Sequence, residues 1–378
     1  MANKKLLNKL KKDKDLAKIE VNENDLIDTY INLNVVSLNL VFSGKIDGGL
    51  AKGKMSAIAA DSQLGKSMIG YNLLQAAYRG GMTCIVIDTE RAFNVDVVKQ
   101  LGIDLDDIIV YRTSDIPKVK EIFAQTVDGL TRDEAKEVFV LLDSWGGLVP
   151  LQIMEKAAKG VGTADMGTTA RFKNELANII NACGLSTWVI NHVSASMAAF
   201  GEPLDVPGGR RLFFLAESIG LCTSAAKYKD ANGNILGKVI TIGVKKGRGS
   251  KEFLKTKYLI RHDGGLDPFF GLLDEALESG CVFKPKPGFY ARIDYDVNKE
   301  TGEVEKMWKE SELYCGKFWV PLYRDENFKT YIEKHFSFDN SKLIAAQHNV
   351  MDMINGKEEL TDEIMPGGDA EGDEGEEE

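Results

Sequence analysis

Residues 55–72, MSAIAADSQLGKSMIGYN, restrict what this chain can fold into more than any other stretch. An apolar run, Met55–Ala59, enters a turn of small residues that closes on Gly65-Lys66-Ser67. A helical spacing of Met68, Ile69, Leu73 and Leu74 follows. Strand, turn and helix in this order make a phosphate cradle, because the first N–H groups of a helix have no partner within it and the helix dipole favours an anion. Set against G-x-x-x-x-G-K-[ST], the candidate triphosphate contacts are Ala60, Asp61, Ser62, Gln63, Leu64, Gly65, Lys66, Ser67 and Met68. Backbone N–H groups around Gly65 face the β-phosphate. Lys66 reaches the β and γ oxygens, and the Ser67 hydroxyl ligates Mg²⁺. Ala60 stands where the pattern has its first glycine; that residue shapes the turn, and Ala serves if its φ stays negative.

Further apolar runs end in polar chemistry. Cys84-Ile-Val-Ile-Asp-Thr-Glu90 closes on two carboxylates, Val138–Ser144 (VFVLLDS) on Asp143, and Ser186–Asn191 (STWVIN) on His192. Asp107–Tyr111 is a weaker run. Runs of this kind suit strands buried on both faces of a parallel sheet, whose C-terminal ends hold ligands. Apolar residues followed by Asp form the Walker B arrangement, which places Asp143 on the Mg²⁺ hydration shell. Strands alternating with helical segments predict an α/β fold, a mostly parallel twisted sheet flanked by helices.

The net charge of −10 is local. Residues 357–378 hold one Lys and eleven acids, so 47 basic residues less one and 57 acidic residues less eleven leave 46 of each in the body. That tail cannot bury enough apolar surface to fold. An acidic chain therefore does not exclude a nucleic-acid partner. The Lys-rich N-terminus lacks a continuous apolar stretch, no run is long enough to span a bilayer, and the five cysteines are dispersed without C-x-x-C. A reduced, cytoplasmic protein with no membrane partner is expected. The four histidines show no metal spacing.

Val35–Lys54 reads as a turn-rich lead into the first core strand. Two segments, Gln152–Thr168 and Val193–Arg211, read as long loops beside the nucleotide. Val239–Val244 and Phe253–Ile260 read as antiparallel strands joined by a basic hairpin, Lys245–Lys251. Beyond Gly264 a helix, a small mixed unit to about Phe336 and a helix over Ser341–Asn355 are expected.

From Val35 to Tyr290 the landmarks SLNLVFSGKIDGGL, GKS, IDTERAF, LLDSWGGL, DMGTTARF, INH, FGEP…GGRR and DGGLDPFFGLLDEALESGCV follow in an order and spacing that resemble RecA-type recombinases, above all their phage UvsX branch. The resemblance implies a RecA-like P-loop core at 35–270, a helical arm at 1–34, a small C-terminal α/β subdomain at 271–356 and a tail at 357–378. It implies that Glu90 orients and deprotonates the attacking water, that Asp143 is the Walker B residue, and that His192 senses the γ-phosphate. Lys246 and Arg248 fall where the family's cations reach the adjacent subunit's triphosphate. The two loops match the DNA-binding loops, with Phe200 as an apolar wedge and Arg171, Lys173, Arg210 and Arg211 on backbone phosphates. Val97 stands where relatives carry an adenine-stacking aromatic, so base contact passes to His262. The function implied is a DNA-dependent ATPase that uses ATP and Mg²⁺ and assembles as a helical homo-oligomer on single-stranded DNA. It pairs and exchanges strands with duplex DNA in phage recombination, repair and recombination-dependent replication in the host cytoplasm. A phage single-strand-binding protein and a loading mediator are the implied partners. A ring helicase on the same core and a nucleotide-gated scaffold with little hydrolysis are the alternatives.

Overall fold

The computed structural model describes residues 29–160, 166–195, 204–205, 210–230 and 232–338. Phe200, residues 1–28, the helix expected over 341–355 and the acidic tail lie outside these described residues. A nine-stranded sheet forms the core, built from β1 (Met55–Ala60), β2 (Thr83–Asp88), β3 (Ile108–Arg112), β4 (Val138–Asp143), β5 (Ser186–His192), β6 (Ser218–Lys229), β7 (Ile235–Gly247), β8 (Lys255–Arg261) and β9 (Gly265–Leu266). Its order is β9-β8-β7-β6-β1-β5-β4-β2-β3. From β6 to β3 every pairing is parallel; β7, β8 and β9 add an antiparallel extension.

The unbroken apolar runs are explained by what covers each face. Successive strand residues point to opposite sides. Ile58, Val86, Leu141 and Ile190 pack with Ile69, Leu73 and Leu74 of α2 (Lys66–Arg79), which follows α1 (Val36–Ser43). Ala57, Ile87, Leu142 and Val189 face the other way, onto Val119 and Phe123 of α3 (Ile116–Val127) and Leu176 and Ile180 of α4 (Met166–Cys183). Both faces are thus dry, as a parallel sheet requires. A third cluster joins Leu40 of α1 to Leu272, Trp319, Phe328 and Phe336. It lies beneath a three-stranded antiparallel sheet (Val282–Lys286, Phe289–Arg292, Trp308–Lys309) and the helices Gly316–Arg324 and Glu326–Phe336. Among the described residues, no helix is long and apolar enough to cross a membrane.

Three local expectations are corrected. Val35–Lys54 is not all turn: its first part is α1, with Ser37 to Ser43 all buried. A helix covered on every side carries no amphipathic spacing to read, and the glycines that follow it mask it further. The expected loop Gln152–Thr168 includes the helix Leu151–Ala158 and the start of α4, with residues 161–165 outside the described set. The basic stretch Lys245–Lys251 is not all hairpin, because β7 continues past Val244 to pair with β6, setting Lys246 opposite Ile219 and Gly247 opposite Ser218. The reversal comes later, at Phe253, whose φ is 68°.

Candidate nucleotide site

Parallel register brings the strand ends together. Ala60 lies opposite His192, Asp143 opposite Ile190, and Asp88 opposite Asp143. Gly65, with a φ of 75°, turns the chain into α2. That left-handed φ favours glycine, and a Cβ there would stand 2.2 Å from Ile260 Cδ1, whose side chain would have to move. These ends line a cavity of about 490 Å³, within the range of small-molecule sites, with Ser62, Gln63, Gly65, Lys66, Ser67, Met68, Glu90, Asp143, His192 and His262 on its walls.

Lys66 is buried, and its Nζ donates to the carbonyls of Ala60 at 2.9 Å and Asp61 at 2.7 Å. Burial presses its pKa below the ordinary lysine value, against the pull of Asp143 and Glu90. Ser67 Oγ donates to Asp143 Oδ2 at 3.0 Å. Burial raises the Asp143 pKa, and the Ser67 hydrogen bond opposes that rise. A hydroxyl and one carboxylate are oxygen donors of the kind Mg²⁺ takes when most of its shell is water and phosphate. Among the described residues no group of three or more His, Cys, Asp or Glu could hold a metal ion.

Glu90 sits at the cavity wall. Its Oε1 accepts from Ser144 Oγ, and His192 Nε2 stands 3.3 Å from the same oxygen. The Ser144 hydrogen bond, more than His192, lowers the Glu90 pKa against a desolvation that raises it. The loop carrying Glu90 is tied from behind. Asp88 accepts from the N–H groups of Ala92 and Phe93 at 3.0 and 3.2 Å, and the Tyr71 hydroxyl accepts from Asn94 N at 3.0 Å. The two carboxylates of the β2 end therefore differ: Asp88 is buried and spent on backbone, whereas Glu90 reaches the cavity.

Other candidates lie elsewhere. Val97, on the helix Val95–Gln100, packs partly buried against the core. Leu64 also packs on that core. Lys246 Nζ donates to the carbonyls of Phe213 and Phe214 at 2.8 and 2.7 Å, and burial with Arg248 nearby brings its pKa to about 8. Arg248 stands 3.8 Å from Glu217. These two cations are not among the cavity's walls. Arg171 is exposed, 3.8 Å from Glu175, while Lys173 is buried and donates to Gly146 O at 3.3 Å. Arg210 begins the helix Arg210–Leu215, and Arg211 N donates to Asn174 Oδ1 at 3.3 Å. Ser144 bonds Glu90, and Lys238 is on the cavity wall, though neither is among the candidate site residues above. Ser144 is legible in hindsight, since it follows Asp143 directly. Lys238 lines the cavity only because antiparallel register sets it opposite Ile260, and no local signal marks it.

A family model described as the RecA N-terminal domain matches residues 12–267. A second, for the C-terminal domain of the bacteriophage T4 recombination and repair protein, matches residues 269–332. The recombination and repair protein of Enterobacteria phage T4 is 29% identical over 350 residues, covering 89% of this chain and 86% of that protein. Protein RecA of Thermus aquaticus is 26% identical over 243 residues, 63% of this chain and 69% of its own. Protein RecA of Clostridium novyi is 26% identical over 288 residues, covering 75% and 79%.

Proposed function

This chain belongs to the RecA family of recombinases, and from that premise we propose that it is a DNA-dependent ATPase that forms helical filaments on single-stranded DNA and exchanges strands with homologous duplex. The observation that carries the reading is the convergence of Lys66, Ser67, Asp143, Glu90 and His192 on one cavity. In this reading residues 35–270 are the motor, 271–356 a C-terminal subdomain, 1–34 an arm and 357–378 a tail. Lys66 holds the β and γ oxygens, and Ser67 with Asp143 holds Mg²⁺, which when bound neutralises charge on the phosphate oxygens. Glu90 takes the proton of the attacking water. His192, bonded to Glu90 and one residue before the segment that holds Phe200, links the phosphate end to that loop. His262, on the cavity wall, meets the base, while Val97 packs on the core.

Lys246 and Arg248 supply charge to the triphosphate of an adjacent copy. To do so Lys246 leaves the carbonyls of Phe213 and Phe214, which lie on the helix that follows the second DNA loop. Release of that helix and completion of the neighbour's site are then one event, and hydrolysis depends on assembly. Arg171, Lys173, Arg210 and Arg211 hold DNA phosphates, with Lys173 first swinging out from Gly146. Binding through phosphates is tolerant of sequence and weakens with salt.

ATP turnover measured with and without single-stranded DNA tests the proposal. Turnover is expected to rise with DNA, and the stimulation to fade as salt is raised. Turnover indifferent to DNA at every salt concentration overturns it.

A further inference from the structure

The phosphate-binding loop is held from below by the antiparallel extension, through contacts that the roles assigned above leave unused. Tyr258 of β8 is fully buried, and its hydroxyl donates to the Leu64 carbonyl at 2.9 Å. Cys222 of β6, also buried, places its Sγ 3.5 Å from the same hydroxyl. A phenol has one proton. With that proton committed to Leu64, the thiol is the donor of the second contact, so the chain runs Cys222 S–H to Tyr258 O–H to Leu64 O. Burial raises the pKa of both groups, Cys222 to about 11, which keeps both protons in place at neutral pH. Two residues along the same strand, Ile260 closes the space beneath Gly65.

We infer that Tyr258 is a positioning residue for nucleotide binding, acting through the backbone of the phosphate-binding loop. Planarity supplies the mechanism. In a trans peptide the C=O and the next N–H point in opposite directions. Pinning the Leu64 carbonyl downward onto Tyr258 therefore aims the Gly65 N–H upward, toward the cavity that Gly65 lines. An N–H aimed in advance costs no reorganisation when an anion arrives. A phenylalanine would fill the same space and pack as well, so the hydroxyl has its use in direction rather than in volume.

The inference rests on the reading of this cavity as a triphosphate site, and the test separates the two. Tyr258→Phe in the full chain is compared with the parent by titration of a fluorescent ATP analogue, by steady-state turnover, and by hydrogen–deuterium exchange of residues 60–67 without nucleotide. One lost hydrogen bond predicts Kd and KM raised roughly three- to tenfold, with kcat at saturation held within about twofold. Exchange across 60–67 is expected to quicken, whereas Cys222→Ser, which keeps a donor, leaves exchange and affinity near the parent's. A variant that merely loosens the fold would lower kcat and KM performance together and quicken exchange in strands remote from the loop, and that pattern overturns the inference. So does a Tyr258→Phe protein with parental affinity and parental loop exchange. Should the parent itself fail to bind the analogue, the triphosphate reading falls, while exchange at 60–67 still decides whether Tyr258 holds the loop.

Discussion

Glu90→Gln is expected to lower ATP turnover by about two to four orders of magnitude, the usual worth of a positioned general base. Affinity for a nucleotide analogue should stay near the parent's. The amide keeps the shape of the carboxylate, and its carbonyl still accepts from Ser144 Oγ, so the loop held by Asp88 and Tyr71 has no reason to move. What is lost is the ability to take a proton. The pH profile provides a second check. Ser144 foremost, then His192, hold the Glu90 pKa below its ordinary value against the effect of burial. A lowered pKa keeps the base form present to lower pH. The acid limb assigned to Glu90 should therefore lie below the ordinary glutamate value of about 4.3, leaving turnover flat through neutral pH on this account. Turnover of the Gln variant within roughly tenfold of the parent would show that another group activates the water.

Asp296→Ala is expected to destabilise the protein by about 3–5 kcal/mol, read from its denaturant midpoint, because it strands a buried cation. Asp296 and Arg292 are both buried and meet through a fork: Arg292 Nη2 donates to Oδ1 and Nε to Oδ2, each at 2.8 Å. The Trp308 indole N–H donates to Oδ2 at 3.1 Å. Arg292 Nη1 donates to the carbonyls of Lys317 and Phe318 at 3.0 and 2.8 Å. The Asp296 carboxylate thus holds the guanidinium that ties the three-stranded sheet to the helix Gly316–Arg324. Burial alone would raise the Asp296 pKa, but the bonds from Arg292 and Trp308 hold it below the ordinary value. A folded pKa below the unfolded one means the contribution is complete at neutral pH and is lost as pH falls through the folded value. The parent should lose stability in that acid window and the variant should lose less of it. Asp296→Asn, which keeps the shape and loses the charge, should fall between the two. A cost of under roughly 1 kcal/mol for Ala would mean that the network relaxes or takes up water, and the tie would not hold the subdomain.

The parallel core was the most legible part of this chain, and the reason is local. A parallel strand buried on both faces must be apolar throughout, so β1, β2, β4 and β5 announce themselves, and polar residues end the runs of β2, β4 and β5. Gly65, Lys66 and Ser67 must be neighbours in sequence because they share one helix N-terminus. The helix α1 was illegible for the opposite reason: with every side covered, it has no polar face to set its period. Lys245 and Lys246 looked like a turn because charge and glycine cluster there, yet pairing with β6 carries the strand through them.

Residue order alone determined the fold class and the strand, turn and helix around Gly65-Lys66-Ser67, since each depends on contacts within one element or on runs buried whatever their neighbours. The tertiary structure decided how the two carboxylates of the β2 end divide: the N–H groups of Ala92 and Phe93 claim Asp88, and Glu90, the one that the resemblance singles out, faces the cavity. It also decided that Ser144 serves Glu90, that Lys238 joins the cavity, and that Tyr258 reaches Leu64 across 194 residues. Those relations follow from strand order and register, which pattern within a single strand does not encode, because any buried strand can pair with any other until the whole sheet is packed.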